Sequence, residues 1–173
     1  MLALPAAPVL FAQEMPKIDF GVPDAGAEPV PRFFSLSQLA ALRRLSDLIL
    51  PTIGETPGAL EARAPEFLDF LLGESPAVRK QLYRNGLDAL NAGARKTYGK
   101  AFAELDATQA DAILAPLHER WTYADPTDPL AAFLRAAKAD IMTATVNSRE
   151  WVAVVSQRSR AAAGTGIYWH PIE

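Results

Sequence analysis

The sequence predicts an all-α protein: an irregular bundle of about five or six helices, with an extended N-terminal arm and a C-terminal tail. Three observations carry this reading. Apolar residues recur at three- and four-residue spacing from Leu39 to Val155. Helix-start signals stand ahead of these runs, as a Ser or Asp with Gln or Pro at the right offset. No window alternates apolar and polar residues long enough for a strand, and Asn85-Gly86 falls inside a helical pattern instead of joining two strands.

The elements follow in order. Ser35-Leu-Ser-Gln38 is a capping box opening a helix whose apolar positions are Leu39, Leu42, Leu45, Leu48 and Ile49, stopped by Pro51. Pro57-Gly58 marks a turn. Pro65 suits the first position of a helix carrying Phe67, Leu68, Phe70, Leu71 and Leu72, which Gly73 ends. Ser75-Pro76 reads as cap and first-turn proline of a long helix with Val78, Leu82, Tyr83, Leu87 and Leu90 on its apolar line, reaching Tyr98. Gly86 and Gly93 lie seven residues apart in it, so both face one way and suit a close helix crossing. Asp106-Ala-Thr-Gln109 is a second capping box, and Pro116 shortens the helix it opens. Asp128 caps and Pro129 starts a last long helix, with Leu130, Phe133, Leu134, Ala137, Ile141, Thr145, Trp151, Val152 and Val155 as its apolar positions and Asn147-Ser148 as an interruption. Arg158 and Arg160 suit its C-terminal end.

The ends differ from this body. Residues 2–12 are apolar and uncharged, too short to span a bilayer, and read as the hydrophobic part of an export signal or as an apolar arm. No Lys or Arg precedes them. Pro16, Pro23, Pro29 and Pro31 exclude a helix from residues 14–34, which read as an extended arm with Ile18, Phe20 and Val30 as its apolar points. Residues 164–173, with Ile167, Tyr168, Trp169 and Ile172, are too apolar for an ordinary free tail, and read either as folding back onto the bundle or as docking onto another protein. The chain thus divides into a signal remnant or arm (1–13), a proline-rich arm (14–34), a helical domain (35–163) and an aromatic tail (164–173).

Composition narrows the chemistry. The chain has 173 residues, half of them hydrophobic, and a net charge of −3, which gives no electrostatic case for nucleic acid. Cysteine is absent, so disulfides, thiolate metal sites and thiol nucleophiles are excluded within this chain. The histidines are His118 and His170, with nothing in their spacing to argue for a shared metal. No phosphate loop, dinucleotide fingerprint or nucleophile elbow occurs. Glu61, Glu66 and Asp69 gather around a helix start, where negative charge is favoured without catalysis. Asp140 opens a polar series through Thr143, Thr145, Asn147, Ser148, Arg149 and Glu150, read as a patch gripping another chain or as a helix break with Arg149 bridging carboxylates. No catalytic, metal or cofactor-binding residue is assigned. The irregular arms flanking a helical body suit a subunit that wraps a partner, with Trp151, Tyr168 and Trp169 as anchors and Phe20 and Arg149 beside them.

Several segments, taken in order, resemble the gluconate 2-dehydrogenase subunit 3 family, from about Ser35 to Glu173. They are Leu42-Arg-Arg-Leu-Ser-Asp-Leu-Ile-Leu-Pro51, Pro57-Gly58-Ala59 leading to Pro65-Glu-Phe-Leu-Asp69, Tyr83 to Gly86-Leu87, Tyr98-Gly99, Thr145-Val-Asn-Ser-Arg-Glu-Trp151 and Gly164-Thr-Gly166-Ile-Tyr-Trp169. The compact length and the Tyr-Trp-x-Pro ending look closest to small subunits of glucoside 3-dehydrogenases. The resemblance implies a non-catalytic, periplasmic small subunit. Its partner is a large flavoprotein that holds FAD and oxidises sugars or sugar acids, with a cytochrome c often receiving the electrons. The small subunit carries a twin-arginine signal and escorts the folded partner across the inner membrane. The alternative role is an adaptor linking flavoprotein to cytochrome. Here no Arg-Arg precedes the apolar N-terminal stretch, and the early pair Arg43-Arg44 lies in the first predicted helix.

Overall fold

The computed structural model describes residues 33–163 except Trp121, with side chains as far as Gln157. Within them run α1 (Leu36–Ile49), α2 (Ala64–Gly73), α3 (Ala77–Tyr98), α4 (Ala107–Ile113), α5 (Pro129–Val146) and α6 (Arg149–Ala163), with 3-10 turns at Phe102–Glu104 and Ala115–His118. Among the described residues the sole extended pairing is one antiparallel bridge, Ile53 to Thr56. The all-α expectation and the helix number hold for this region.

Local chemistry sets most boundaries. Ser35 Oγ accepts the Gln38 N–H at 3.2 Å and Gln38 Oε1 accepts the Ser35 N–H at 3.1 Å, so the first capping box forms as expected. Gln38 also donates to Asp88 at 2.9 Å, joining α1 to α3. Asp106 and Gln109 form the second box, and Pro116 sits in the 3-10 turn that replaces further α4. Asp128 accepts the Ala131 N–H at 2.7 Å and caps α5, with Pro129 in its first turn.

The connection from α1 to α2 is tightly folded. At Gly58 a Cβ would lie 2.5 Å from the Thr52 nitrogen and 2.7 Å from the Leu50 carbonyl oxygen, so only glycine lets the strands of this loop approach. Arg63 leads into α2 from the left-handed region, at φ 53°. Pro65 occupies the first turn of α2, one residue later than its spacing predicts, since Ala64 opens the helix.

Three expectations are corrected. Ser75 does not cap α3: Pro76 stands at that position, and the Ser75 hydroxyl instead donates back to the Leu71 carbonyl at 2.8 Å. The reason is proximity, since the last carbonyls of α2 lack helical partners and lie within reach of this side chain. Gly86 and Gly93 are not equivalent. A Cβ on Gly86 would fall inside the Phe133 ring of α5, whereas Gly93 has nothing within 4 Å. The helices cross near Gly86 and have diverged a further two turns along. Val78 is also not core: it is 84% exposed, because the first turn of α3 projects beyond its neighbours.

α3 runs through the middle, packed chiefly against α5 and α1. The core joins Leu42 and Leu45 of α1, Leu68 and Leu72 of α2, Tyr83, Leu87 and Leu90 of α3, and Phe133, Leu134 and Ile141 of α5. Each such side chain contributes on the order of 1.5–3 kcal/mol by leaving water. Phe133 meets Tyr83 edge to face, with ring centres 5.4 Å apart and planes at 86°.

The last long helix is two helices. α5 ends at Val146, Asn147 takes φ −92° and ψ 1°, and Ser148 Oγ accepts the Trp151 N–H at 3.1 Å, which caps a new start. The expected interruption is there. Of the described side chains of α6, residues 149–157, none is buried. The apolar positions Trp151, Val152 and Val155 thus lie outside the core. α6 is covered only in part, with Trp151 and Val154 half-buried and Val152 and Val155 exposed.

Candidate functional site

The acidic residues near α2 serve the fold. Asp69 is 3% exposed and its Oδ1 accepts the N–H of Phe33 at 3.0 Å and of Phe34 at 2.8 Å. Glu66 pairs with Arg43 at 3.0 Å. Glu61 accepts the Gly58 N–H at 3.0 Å. Hydrogen bonding from the Thr52 side chain, and then from the backbone N–H groups of Glu61 and Gly58, holds its carboxyl below the ordinary 4.5. His118 pairs with Asp111 at 2.9 Å on open surface, where the two side chains are 63% and 66% exposed. His170 lies outside the described residues. Among the described residues no group of three or more His, Asp or Glu is placed to hold a metal.

One polar cluster was only half visible in the sequence. Asp140 of α5 takes a charge-assisted bond from Arg79 Nη2 at 2.7 Å, and the Tyr83 hydroxyl donates to the same oxygen. The expected bridge through Arg149 is replaced by one through Arg79, sixty-one residues before Asp140. Arg149 is exposed and forms no ion pair among the described residues. Burial first, then the hydrogen bond to Asp140 and its charge, push the Tyr83 phenol well above its ordinary value. Tyr83 is thus a fixed hydrogen-bond donor that ties α3 to α5, and it is poorly suited to act as a base or nucleophile.

A shallow cavity of about 270 Å³ is lined by Ala40, Arg43, Arg44, Asp47, Leu60 and Ala103. Its guanidinium groups are already engaged. Arg44 donates to Asp47 and to the Leu105 carbonyl, both at 3.1 Å, and Arg43 holds Glu66.

What stands open is apolar surface at the C-terminal side. Met142 and Val146 of α5 are 44% and 39% exposed, and Val152 and Val155 of α6 are 50% and 40% exposed. Trp151 is half-buried beside them. The anchors expected from the sequence therefore separate: Trp151 and Arg149 sit together at the start of α6, while Phe20, Tyr168 and Trp169 fall outside the described residues. Met142 and Val146 were missed as surface residues, although their four-residue spacing one position past Ile141 and Thr145 carries the signal of a second stripe.

The other end of interest is the root of the arm. The Phe33 ring lies 4.2 Å from the Arg84 guanidinium and 5.9 Å from the Lys80 ammonium, and stacks edge-on against Phe34 at 4.8 Å. With the Asp69 bonds, this fixes the point where residues 1–32 join the bundle.

A helical body whose buried carboxylates are tied up in internal bonds, with exposed apolar residues near its C-terminal side, has the build of an assembly component. Comparison with protein families agrees: the model of gluconate 2-dehydrogenase subunit 3 matches residues 37–155, and the chain belongs to that family. Its members take their name from one subunit of a multi-subunit dehydrogenase. No curated protein and no solved structure matches the chain.

Proposed function

We propose that this chain is the non-catalytic small subunit of a periplasmic, FAD-dependent sugar dehydrogenase of the glucoside 3-dehydrogenase or gluconate 2-dehydrogenase type. It binds the large flavoprotein subunit, assists its folding, and travels with it by twin-arginine export. FAD belongs to the partner, and a cytochrome c takes the electrons. Trp151, Arg149, Phe20, Tyr168 and Trp169 are the partner-binding residues in this reading.

The observation that carries it is the family match over residues 37–155. Two features support it. The acidic side chains with most burial serve the fold: Asp69 holds the backbone of Phe33 and Phe34, and Asp140 with Tyr83 joins α5 to α3. The half-exposed valines of α6 suit a surface that another protein covers. Among the described residues no helix is long and apolar enough to cross a membrane.

Co-expression tests the reading. The large subunit, produced with and without this chain, is assayed for soluble yield, flavin absorbance and sugar-dependent dye reduction. The expected result is a marked loss of soluble, flavin-loaded enzyme without the small chain. Equal yield and activity in both preparations would remove the proposal.

A further inference from the structure

We infer that the outward face made by the end of α5 and the start of α6, with Met142, Val146, Val152 and Val155 at its centre, inserts into an apolar groove of the catalytic subunit whose rim is acidic. This rests on the subunit reading above and adds where the contact lies and what chemistry faces it.

The first argument is burial. Val152 and Val155 stand three residues apart on one side of α6, with Trp151 beside them, and a helix with such a stripe normally turns it inward. Here the stripe stays 40–50% exposed at its valines, and Met142 and Val146 at the end of α5 are exposed as well. The second is construction. Asn147 ends α5 and Ser148 starts α6 with its own side-chain bond to Trp151, so the break between the two helices is specified locally.

The third argument selects the occupant. Along α5 and the described side chains of α6 the basic residues Arg135, Lys138 and Arg149 outnumber the acidic Asp140 and Glu150, in a chain whose net charge is −3. Asp140 is moreover already neutralised by Arg79. Lys138 and Arg149 are exposed. A second copy of this chain on the same face would set these like charges against each other, whereas a groove rimmed by carboxylates complements them and steers the encounter.

The experiment uses the full chain with its purified catalytic subunit and measures Kd. Val152→Asp with Val155→Asp is expected to weaken binding by at least about a hundredfold, the size of losing two central hot-spot contacts. Ile53→Asp, at a 70%-exposed site on the α1–α2 loop, is the control and is expected to bind as the parent does. Lys138→Glu with Arg149→Glu is expected to weaken binding about tenfold at low salt and less at high salt. In the isolated chain the valine double variant is expected to keep its helicity and its Tm to within about 2 °C, since the positions are half-exposed.

Five results would overturn the inference. The valine double variant binds as the parent does while the parent binds tightly, which leaves the subunit reading standing and moves the interface elsewhere. Its isolated Tm falls by more than about 5 °C, which means that this chain's own residues already cover the face. Light scattering finds a dimer of the parent chain that the variant loses, which assigns the face to a second copy. The parent binds vesicles of phosphatidylcholine and phosphatidylserine through these valines with catalytic-subunit binding unaffected, which assigns it to a lipid surface. A parent chain with no affinity for the catalytic subunit removes the subunit reading itself, and this inference with it.

Discussion

Replacing Gly86 by alanine sets two effects of opposite sign against each other. Within a helix, alanine is favoured over glycine by up to about 1 kcal/mol. Against that, the added Cβ would sit among the ring carbons of Phe133, well inside the 3.0 Å that real Cβ contacts essentially never breach. The ring has little room to retreat, because it is fully buried and packs edge to face against Tyr83, which is itself bonded to Asp140. The methyl group must therefore push α3 and α5 apart. Overpacking of a close-packed core costs about 1–3 kcal/mol, and the rigidity of this neighbour places the substitution at the upper end. The net expectation is a loss of about 2 kcal/mol, or roughly 4–10 °C in Tm for a body of this size. Urea titration followed by circular dichroism, with thermal melts, measures it. Gly93→Ala supplies the internal standard. It lies on the same helix with nothing within 4 Å, so it is expected to gain about 0.5–1 kcal/mol. If both variants shift in the same direction, the claim that α3 and α5 touch backbone-close at Gly86 alone is wrong.

The remaining expectations concern polar anchors. Asp69→Ala leaves the Phe33 and Phe34 N–H groups without their acceptor and is expected to lose about 2–4 kcal/mol in urea unfolding, with increased protease access at the N-terminal side of α1. Tyr83→Phe, which keeps the ring packing and strips the bond to Asp140, is expected to lose about 1.5–3 kcal/mol at neutral pH. Because the folded-state value of Tyr83 is raised, its contribution is full below the ordinary 10.0 and declines as pH rises beyond it, which alkaline unfolding curves of the two proteins will show. For Glu61 the sign is reversed. Its folded value is lowered, so the advantage of the parent over Glu61→Gln is present above pH 4.5 and fades as pH falls through the lowered value, small throughout for so exposed a group. Ser148→Ala removes the cap of α6 and is expected to lower its helix signal with little effect on the Tm of the body.

What could be read from the sequence follows the range of the forces involved. Ser35 with Gln38, Asp106 with Gln109, and Asp128 with Pro129 announce helix starts because each cap closes within one turn, using atoms that the sequence places side by side. Ser75 misled for the same reason in reverse, since two partners lay in reach and the one in the preceding helix took the hydroxyl. Periodicity marked which residues are apolar in α6 but not whether anything lies against them, and the core stops short of Val152 and Val155. Gly86 and Gly93 share a helix face, and only the path of α5 separates them. The pairing of Arg79 with Asp140 spans too many residues for any local rule to find. Of the expected partner-binding residues, Trp151 and Arg149 fall on the open C-terminal face, and the aromatics of the tail and arm lie outside the described residues.

The clamp that Asp69, Arg84 and Lys80 place on Phe33 and Phe34 has a consequence for association. Phe33, to which residues 1–32 are joined, is therefore held in place and is not a fraying end. Once the helical body has settled on another protein, any contact those residues make becomes an intramolecular event, with an effective concentration that is typically millimolar for a short tether. If the proposed complex engages those residues, even weak contacts there would multiply into slow dissociation, and cutting the chain ahead of Phe33 would shorten the lifetime of the complex without removing a single contact from the body.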